Sequence, residues 1–152
     1  MIKLFVSALL LVSTSLMFLY FHKKEKVLTC KAEFSVIKNT ERLDIVSVIS
    51  LSSGKGVLTL SGILYDGKQV AGHISRNIGF TYKKRGEDYA LKSSVVVNSP
   101  LMALSQHDEE KWLPAFFGAK NQTVFLKIRP LNNNQWLIYS GVVPQYLCEK
   151  AP

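Results

Sequence analysis

The stretch that decides the fold is VLTLSGILYDGKQVAGHISRNIGFTY, residues 57–82. Apolar side chains occupy alternate positions in both of its halves, as in strands that bury one face. Between the halves, Asp66-Gly67 supplies a pair of residues that readily adopts positive φ in a two-residue hairpin turn. We therefore predict two antiparallel strands. Their shared apolar face consists of Leu58, Leu60, Leu64, Val70, Ile74, Ile78, Phe80 and Tyr82.

The same alternation extends along the chain on both sides of this hairpin. Roughly seven strands are predicted, over residues 28–36, 43–51, 57–65, 70–82, 89–97, 124–129 and 135–143. Gly72, on the apolar face of the fourth strand, indicates a bulge or sharp coiling. Short turns join the strands, and open sheet edges favour aggregation. The predicted fold class is therefore mainly β, an antiparallel meander curled into a small barrel or a two-layer sandwich.

A helical insertion interrupts the meander between Ser99 and Lys120. Residues 100–104 could make a helical turn, and the acidic run that begins at Asp108 suits the first turn of a helix. Pro114 interrupts the apolar positions that follow. We expect one or two short helices in this insertion.

An apolar segment precedes the β domain. Leu4 to Phe21 comprises 18 residues, of which 14 are apolar and none is charged. As a helix this segment would be about 27 Å long, close to the ~30 Å hydrocarbon core of a bilayer. A bulky and then basic sequence follows it, unlike the small residues of a signal-peptide cleavage site. We predict a transmembrane anchor with a basic flank over residues 1–26, embedded in the lipid bilayer, and a β domain over residues 27–152.

The two cysteines indicate an oxidising compartment. Cys30 lies in the first predicted strand and Cys148 just after the last, so a disulfide would tie the ends of the meander together. The alternative is two unrelated buried thiols in a cytosolic domain. Lys23, Lys24 and Lys26 favour the opposite orientation, but long domains translocate largely regardless of flanking charge. We therefore expect the β domain outside the cytoplasm, in the bacterial periplasm.

Residues that catalysis or metal binding requires are not grouped in the sequence. His22, His73 and His107 share no ligand spacing. No G-x-S-x-G motif occurs, and neither cysteine remains as a nucleophile once the two are paired. We predict that the protein is not an enzyme and has no catalytic residues, no metal site and no cofactor.

The β domain is basic. It carries 15 lysines and arginines against 10 aspartates and glutamates, a net charge of +5, and Lys83-Lys84-Arg85 is its densest cluster. A domain outside the cytoplasm does not meet nucleic acid, so none is expected as a partner. The cluster is either a solvated hairpin tip or a contact for an acidic protein surface or for anionic headgroups.

Five aromatic side chains are the candidate contacts for a ligand or a partner. Three of them lie close together in the insertion. A small closed barrel can hold one apolar ligand, with a helix acting as a lid or plug. The alternative is that these residues simply fill the core. The five are Trp112, Phe116, Phe117, Phe80 and Trp136.

The layout of the whole chain resembles the FidL-like family of enterobacterial inner-membrane proteins, and ToxS, PsaF and MyfF are similar. The resemblance rests on the apolar segment Leu4–Phe21 and on one cysteine near each end of the β domain, Cys30 and Cys148. It implies a single-pass inner-membrane accessory protein of virulence regulation, whose periplasmic domain binds, stabilises or co-senses with a ToxR-like transmembrane regulator. The alternative is a stand-alone periplasmic protein that binds a small molecule or maintains the envelope.

Overall fold

A computed structural model describes residues 27–151, which form a closed antiparallel barrel of eight strands with two short helices. The strands are β1 Leu28–Lys38, β2 Glu41–Ser52, β3 Lys55–Asp66, β4 Gln69–Arg85, β5 Asp88–Asn98, β6 Thr123–Pro130, β7 Gln135–Ser140 and β8 Val143–Lys150. The helices, α1 Gln106–Trp112 and α2 Ala115–Gly118, lie between β5 and β6. Each strand pairs with its neighbours in sequence and β8 returns to β1, so the predicted meander closes as a barrel rather than a sandwich.

The end of the chain contains one more strand than the sequence predicts. Residues 135–143 are expected as a single strand, but the chain turns at Gly141, with φ of 61°, and β8 begins two residues later. Pro144 lies inside β8, where the pairing with β7 shifts register and the missing N–H of proline is tolerated. Cys148 therefore lies within the last strand, and the expectation that it follows that strand was wrong.

A bulge beside Gly72 confirms the irregularity that the sequence predicts in β4. The pairing of β3 with β4 shifts register after Leu64, where Ala71 is the extra residue. A Cβ atom on Gly72 would lie 2.8 Å from the carbonyl oxygen of Ala103, closer than backbone packing allows. Glycine at this position lets the chain of the insertion pass directly against β4.

A second bulge, in β5, reverses the face that the following residues present. Ser94 is the extra residue in the pairing of β5 with β4. Simple alternation places Val95 and Val97 in the core, but their side chains are 48% and 52% exposed. Val96 packs against the core instead. The expected alternation was therefore wrong by one residue beyond the bulge.

The insertion forms two short helices, as predicted, and Pro114 separates them as the N-cap of α2. Ser105 is the N-cap of α1, and its Oγ accepts a hydrogen bond of 3.0 Å from the N–H three residues later. Residues 100–104 do not form the expected helical turn. Ala103 instead pairs with His73 as a β-bridge alongside β4, because the bulge and Gly72 make room for it.

The two ends of the barrel are distinct. At the N-terminal end, Leu28 of β1 lies beside the β2–β3 turn. The β4–β5 turn lies at the same end, because the Tyr82 N–H of β4 donates a hydrogen bond of 2.8 Å to the Gly54 carbonyl of the β2–β3 turn. At the opposite end, which we call the helix end, Lys38 Nζ donates to the Lys111 carbonyl of α1 at 2.6 Å. The helices therefore cover the end remote from the start of β1.

Within residues 27–151, no helix has the length and apolar character that crossing a bilayer requires. The anchor predicted over residues 1–26 lies outside the described residues. It therefore stays a prediction from the sequence.

Candidate functional site

Arg76 is a charged residue on the inward, apolar face of β4. Its side chain is 3% exposed. Its Nη1 donates to Glu109 Oε1 at 2.7 Å and to the Phe117 carbonyl at 2.9 Å, while its Nε donates to Asn98 Oδ1 at 2.6 Å. One buried guanidinium thus connects β4 to the end of β5 and to both helices.

The local sequence places Glu109 for this contact. Ser105 begins α1, so Glu109 falls at the first turn, where a carboxylate also interacts favourably with the helix dipole. Gly118 leaves room beside it, because a Cβ there would lie 3.2 Å from Glu109 Oε1. The sequence prediction missed Arg76, although position 76 is in phase with the apolar positions 74 and 78.

Three of the five predicted aromatic residues pack together inside the barrel. Phe80 and Phe116 are 2% and 3% exposed, and their ring centroids are 6.0 Å apart. Phe117 is half-buried and meets Phe116 edge-on, with centroids 5.4 Å apart. Neither Phe80 nor Phe116 is open to a ligand or partner at the surface of this structure. Their role as contacts stays a prediction, and alanine at either position would first report on core packing.

Trp112 and Trp136 lie in different parts of the fold. Trp112 is 7% exposed at the helix end, and Lys38 Nζ lies 4.7 Å from its ring centroid. Its Nε1 is buried and has no hydrogen-bond partner among the described residues. Trp136 is half-buried and pairs with Cys148 across β7 and β8, so the structure does not group it with the insertion.

The β1–β8 seam, where the barrel closes, is the shortest strand pairing in the described wall. Register pairs join the two strands at Cys30 and Lys31 of β1 and at no other described position. By contrast, β1 pairs with β2 along its whole length. Residues 32–38 of β1 and 143–148 of β8 therefore lack a strand partner across the seam.

Inside the barrel, an aromatic pair bridges the seam beyond the point where strand pairing stops. The rings of Phe34 and Tyr146 stack with centroids 4.7 Å apart and an interplanar angle of 3°. Burial raises the pKa of the Tyr146 hydroxyl above its ordinary value of 10.0, and a hydrogen bond with Ser47 opposes this in part. The phenol is therefore protonated at neutral pH. Side chains, rather than the main chain, hold this part of the wall together.

The predicted disulfide is present at the closed part of the seam. Cys30 and Cys148 are bonded with their Cα atoms 5.5 Å apart, and both are fully buried. A shallow cleft of about 470 Å³ follows the seam on the outside. Leu147, which lines it, and Val143, farther along β8, are 39% and 56% exposed. The cleft is lined by Lys31, Ala32, Glu33, Leu147, Glu149 and Lys150.

The chemistry available at the seam is that of binding. It offers two strand edges that are not paired with each other beyond Lys31, an apolar rim and flanking charges of both signs. Among residues 27–151, no group of three or more His, Cys, Asp or Glu side chains could hold a metal ion. His73 on β4 and His107 on α1 are both exposed and lie on separate elements.

Comparison with known proteins identifies the family of the β domain. The model of the YqeJ C-terminal domain matches residues 27–148, which run from the residue before β1 to the second cysteine of the disulfide. No curated protein matches the chain. The resemblance in layout to the FidL-like family, ToxS, PsaF and MyfF gains no support from this match. Because the match covers most of the chain, the protein belongs to the YqeJ C-terminal domain family.

Proposed function

We propose that this protein is a single-pass inner-membrane accessory protein whose periplasmic β domain binds and stabilises, or co-senses with, a ToxR-like transmembrane transcription regulator. The observation that carries the proposal is the β1–β8 seam, where two strand edges lack partners. An extended segment of another protein can add to such an edge through main-chain hydrogen bonds. An anchor that holds both proteins in one membrane raises their effective concentration.

The seam also specifies the kind of segment that fits it. Lys31 and Glu33 form an ion pair of 2.6 Å beside the closed part, and charges of this kind protect a strand edge from unspecific pairing. Farther along β8, Val143 and Leu147 expose apolar side chains. A partner strand with alternating apolar residues would cover both the main-chain groups and this apolar rim. Binding of this kind requires no catalytic residue and no cofactor.

The location in the proposal depends on the apolar segment Leu4–Phe21 and on the disulfide, which forms in oxidising compartments. We expect alkaline phosphatase fused after Pro152 to be active, and a cytoplasmic reporter at the same position to be inactive. The mature protein should retain Met1. An active cytoplasmic reporter, or a mature amino terminus downstream of Phe21, would contradict the anchor.

The partner can be tested at single residues of the seam. A photocrosslinking amino acid at position 147 should form a covalent adduct with a co-encoded ToxR-like regulator, detected with an antibody to that regulator. The same amino acid at Val57, which is 49% exposed on the outer face of β3, should form none. Leu147→Glu should lower the regulator's abundance several-fold, whereas Val57→Glu should leave it unchanged.

Deletion of the whole gene separates a binding role from a coincidental contact. If the protein stabilises the regulator, deletion should reproduce or exceed the effect of Leu147→Glu. Unchanged abundance and output of every co-encoded membrane regulator after deletion would refute the proposal. It would then favour a stand-alone binding protein.

One observation favours that second candidate. The buried Trp112 Nε1 has no described hydrogen-bond partner, and an unsatisfied N–H of this kind costs about 1–3 kcal/mol. A small, mainly apolar ligand with one hydrogen-bond acceptor could satisfy it within the helix end of the barrel. Mass spectrometry of the natively purified protein, with a Trp112→Phe variant as control, would detect such a ligand.

A further inference from the structure

A basic patch surrounds an exposed phenylalanine on the outer wall next to the β4–β5 turn. Its cations, Lys83, Lys84, Arg85 and Lys127, line one shallow pocket of about 370 Å³ together with Phe125. We propose that this basic patch docks on the anionic lipid headgroups of the membrane that holds the anchor.

The charge of the patch is strongly unbalanced. Four cations and one carboxylate, Asp88, line the pocket. Asp88 is 72% exposed and lies 3.9 Å from Lys127 Nζ, so its pairing with that lysine is loose. Lys84 Nζ lies 5.3 Å from the Tyr89 ring centroid, which holds this ammonium at the rim of the barrel. Without Lys84, the three cations Lys83, Arg85 and Lys127 still outnumber the single carboxylate of Asp88 in the lining, so a surplus of positive charge is displayed over a short distance.

Phe125 distinguishes the patch from an ordinary solvated hairpin tip. Its side chain is 70% exposed. Through the register of β4, β5 and β6, it stands in one row across the outer wall with Ala90 and Lys83. Gly141 lines the same pocket and has no side chain there. Aromatic and apolar side chains beside lysines are the composition of surfaces that lie in a bilayer interface.

The position of the patch favours the membrane as its occupant, and this step rests on the proposed anchor. The β4–β5 turn lies at the N-terminal end of the barrel, where β1 begins. Five residues separate Phe21 from Val27, so even a fully extended link keeps this end within about 20 Å of the apolar segment. An acidic protein could neutralise the cations, but the short link places the lipid surface permanently within reach.

Fluorescence quenching in nanodiscs tests the contact with the full chain and no other protein. The Phe125→Trp protein is reconstituted in discs of phosphatidylcholine with or without brominated phosphatidylglycerol. The fluorescence of the wild-type protein in the same discs is subtracted to remove the contribution of the native Trp112 and Trp136. We expect brominated phosphatidylglycerol to quench the new tryptophan. Ile37→Trp is the matched control, because Ile37 is also 70% exposed but lies at the helix end. It should not be quenched.

Charge variants decide whether headgroups cause the contact. The charge variant combines Lys83→Gln and Arg85→Gln in the Phe125→Trp protein. Each cation near an anionic surface strengthens binding about fivefold, so loss of both should lower the equilibrium constant for docking about 30-fold. Arg42→Gln with Lys68→Gln, which removes as much charge at the helix end, should have no effect. Discs in which phosphatidylcholine carries the bromine instead are the second comparison. Equal quenching by the two brominated lipids would overturn the proposal. Absence of quenching by either lipid would also overturn it, and would leave an acidic protein as the partner of the patch. Failure to incorporate into discs would instead refute the anchor, and none of these outcomes depends on the proposed regulator.

Discussion

Glu109→Ala is expected to destabilise the barrel by about 3–5 kcal/mol, because it leaves the buried charge of Arg76 without its counter-ion. The guanidinium is 3% exposed, and its remaining partners are the neutral oxygens of Asn98 and Phe117. Glu109 itself is 29% exposed, so truncation opens a path for water towards Arg76. We therefore expect a loss in the lower half of that range.

Urea unfolding of the full chain in detergent, followed by tryptophan fluorescence, measures this loss. Glu110→Ala is the matched control, since Glu110 is the next residue of the same helix and is exposed. It should change the free energy of unfolding by no more than about 0.5 kcal/mol. Replacing both members of the pair, as in Arg76→Met with Glu109→Leu, should recover most of the loss, because an apolar pair leaves no buried charge. Equal losses in Glu109→Ala and Glu110→Ala would contradict a structural role for the ion pair.

The strands were predictable because their signal is local. Burial of one face imposes a period of two, and the Asp66-Gly67 sequence identifies a hairpin within a few residues. The turn itself lies one residue later than predicted: Asp66 ends β3 and pairs with Gln69, and Gly67, with φ of 58°, and Lys68 form the two-residue turn. The errors arose where one residue changes the phase or the continuity of a strand. The extra Ser94 moved Val95 and Val97 to the outside. The turn at Gly141 divided what reads as a single strand.

The candidate site was less predictable because it depends on contacts between distant parts of the chain. Nothing local in β1 or β8 shows that their pairing is short, or that Phe34 and Tyr146 stack across the gap. Arg76 could have been detected as a charged residue at an inward-facing position of β4, between Ile74 and Ile78. Nothing in the sequence indicates that Glu109 is its ion-pair partner. Phe116 and Phe117 of the insertion meet, with ring centroids 5.4 Å apart, but sequence periodicity does not distinguish a buried cluster from a docking surface.

Removing the disulfide, by Cys30→Ala with Cys148→Ala, should lower the free energy of unfolding by roughly 4–5 kcal/mol in the chain-entropy model. The bond joins residues 118 positions apart, so it restricts nearly the whole unfolded domain. It also lies where β1 and β8 pair over a short length, and loss of the bond should therefore open the β1–β8 seam before the rest of the wall. Alanine is chosen because both sites are fully buried and a serine hydroxyl there would add its own desolvation cost.

Two measurements together test this expectation. Urea unfolding should show a similar loss for the double variant and for wild-type protein treated with reductant, since both lack the same covalent link. Amide hydrogen exchange should then increase first in β8 and in residues 28–31 of β1, while β2 and β3, which pair along their whole length, stay protected. Uniformly faster exchange across all strands would contradict a local role for the bond in closing the seam. An unchanged midpoint after complete reduction would show that the Phe34–Tyr146 stack and the buried core hold the barrel closed without it.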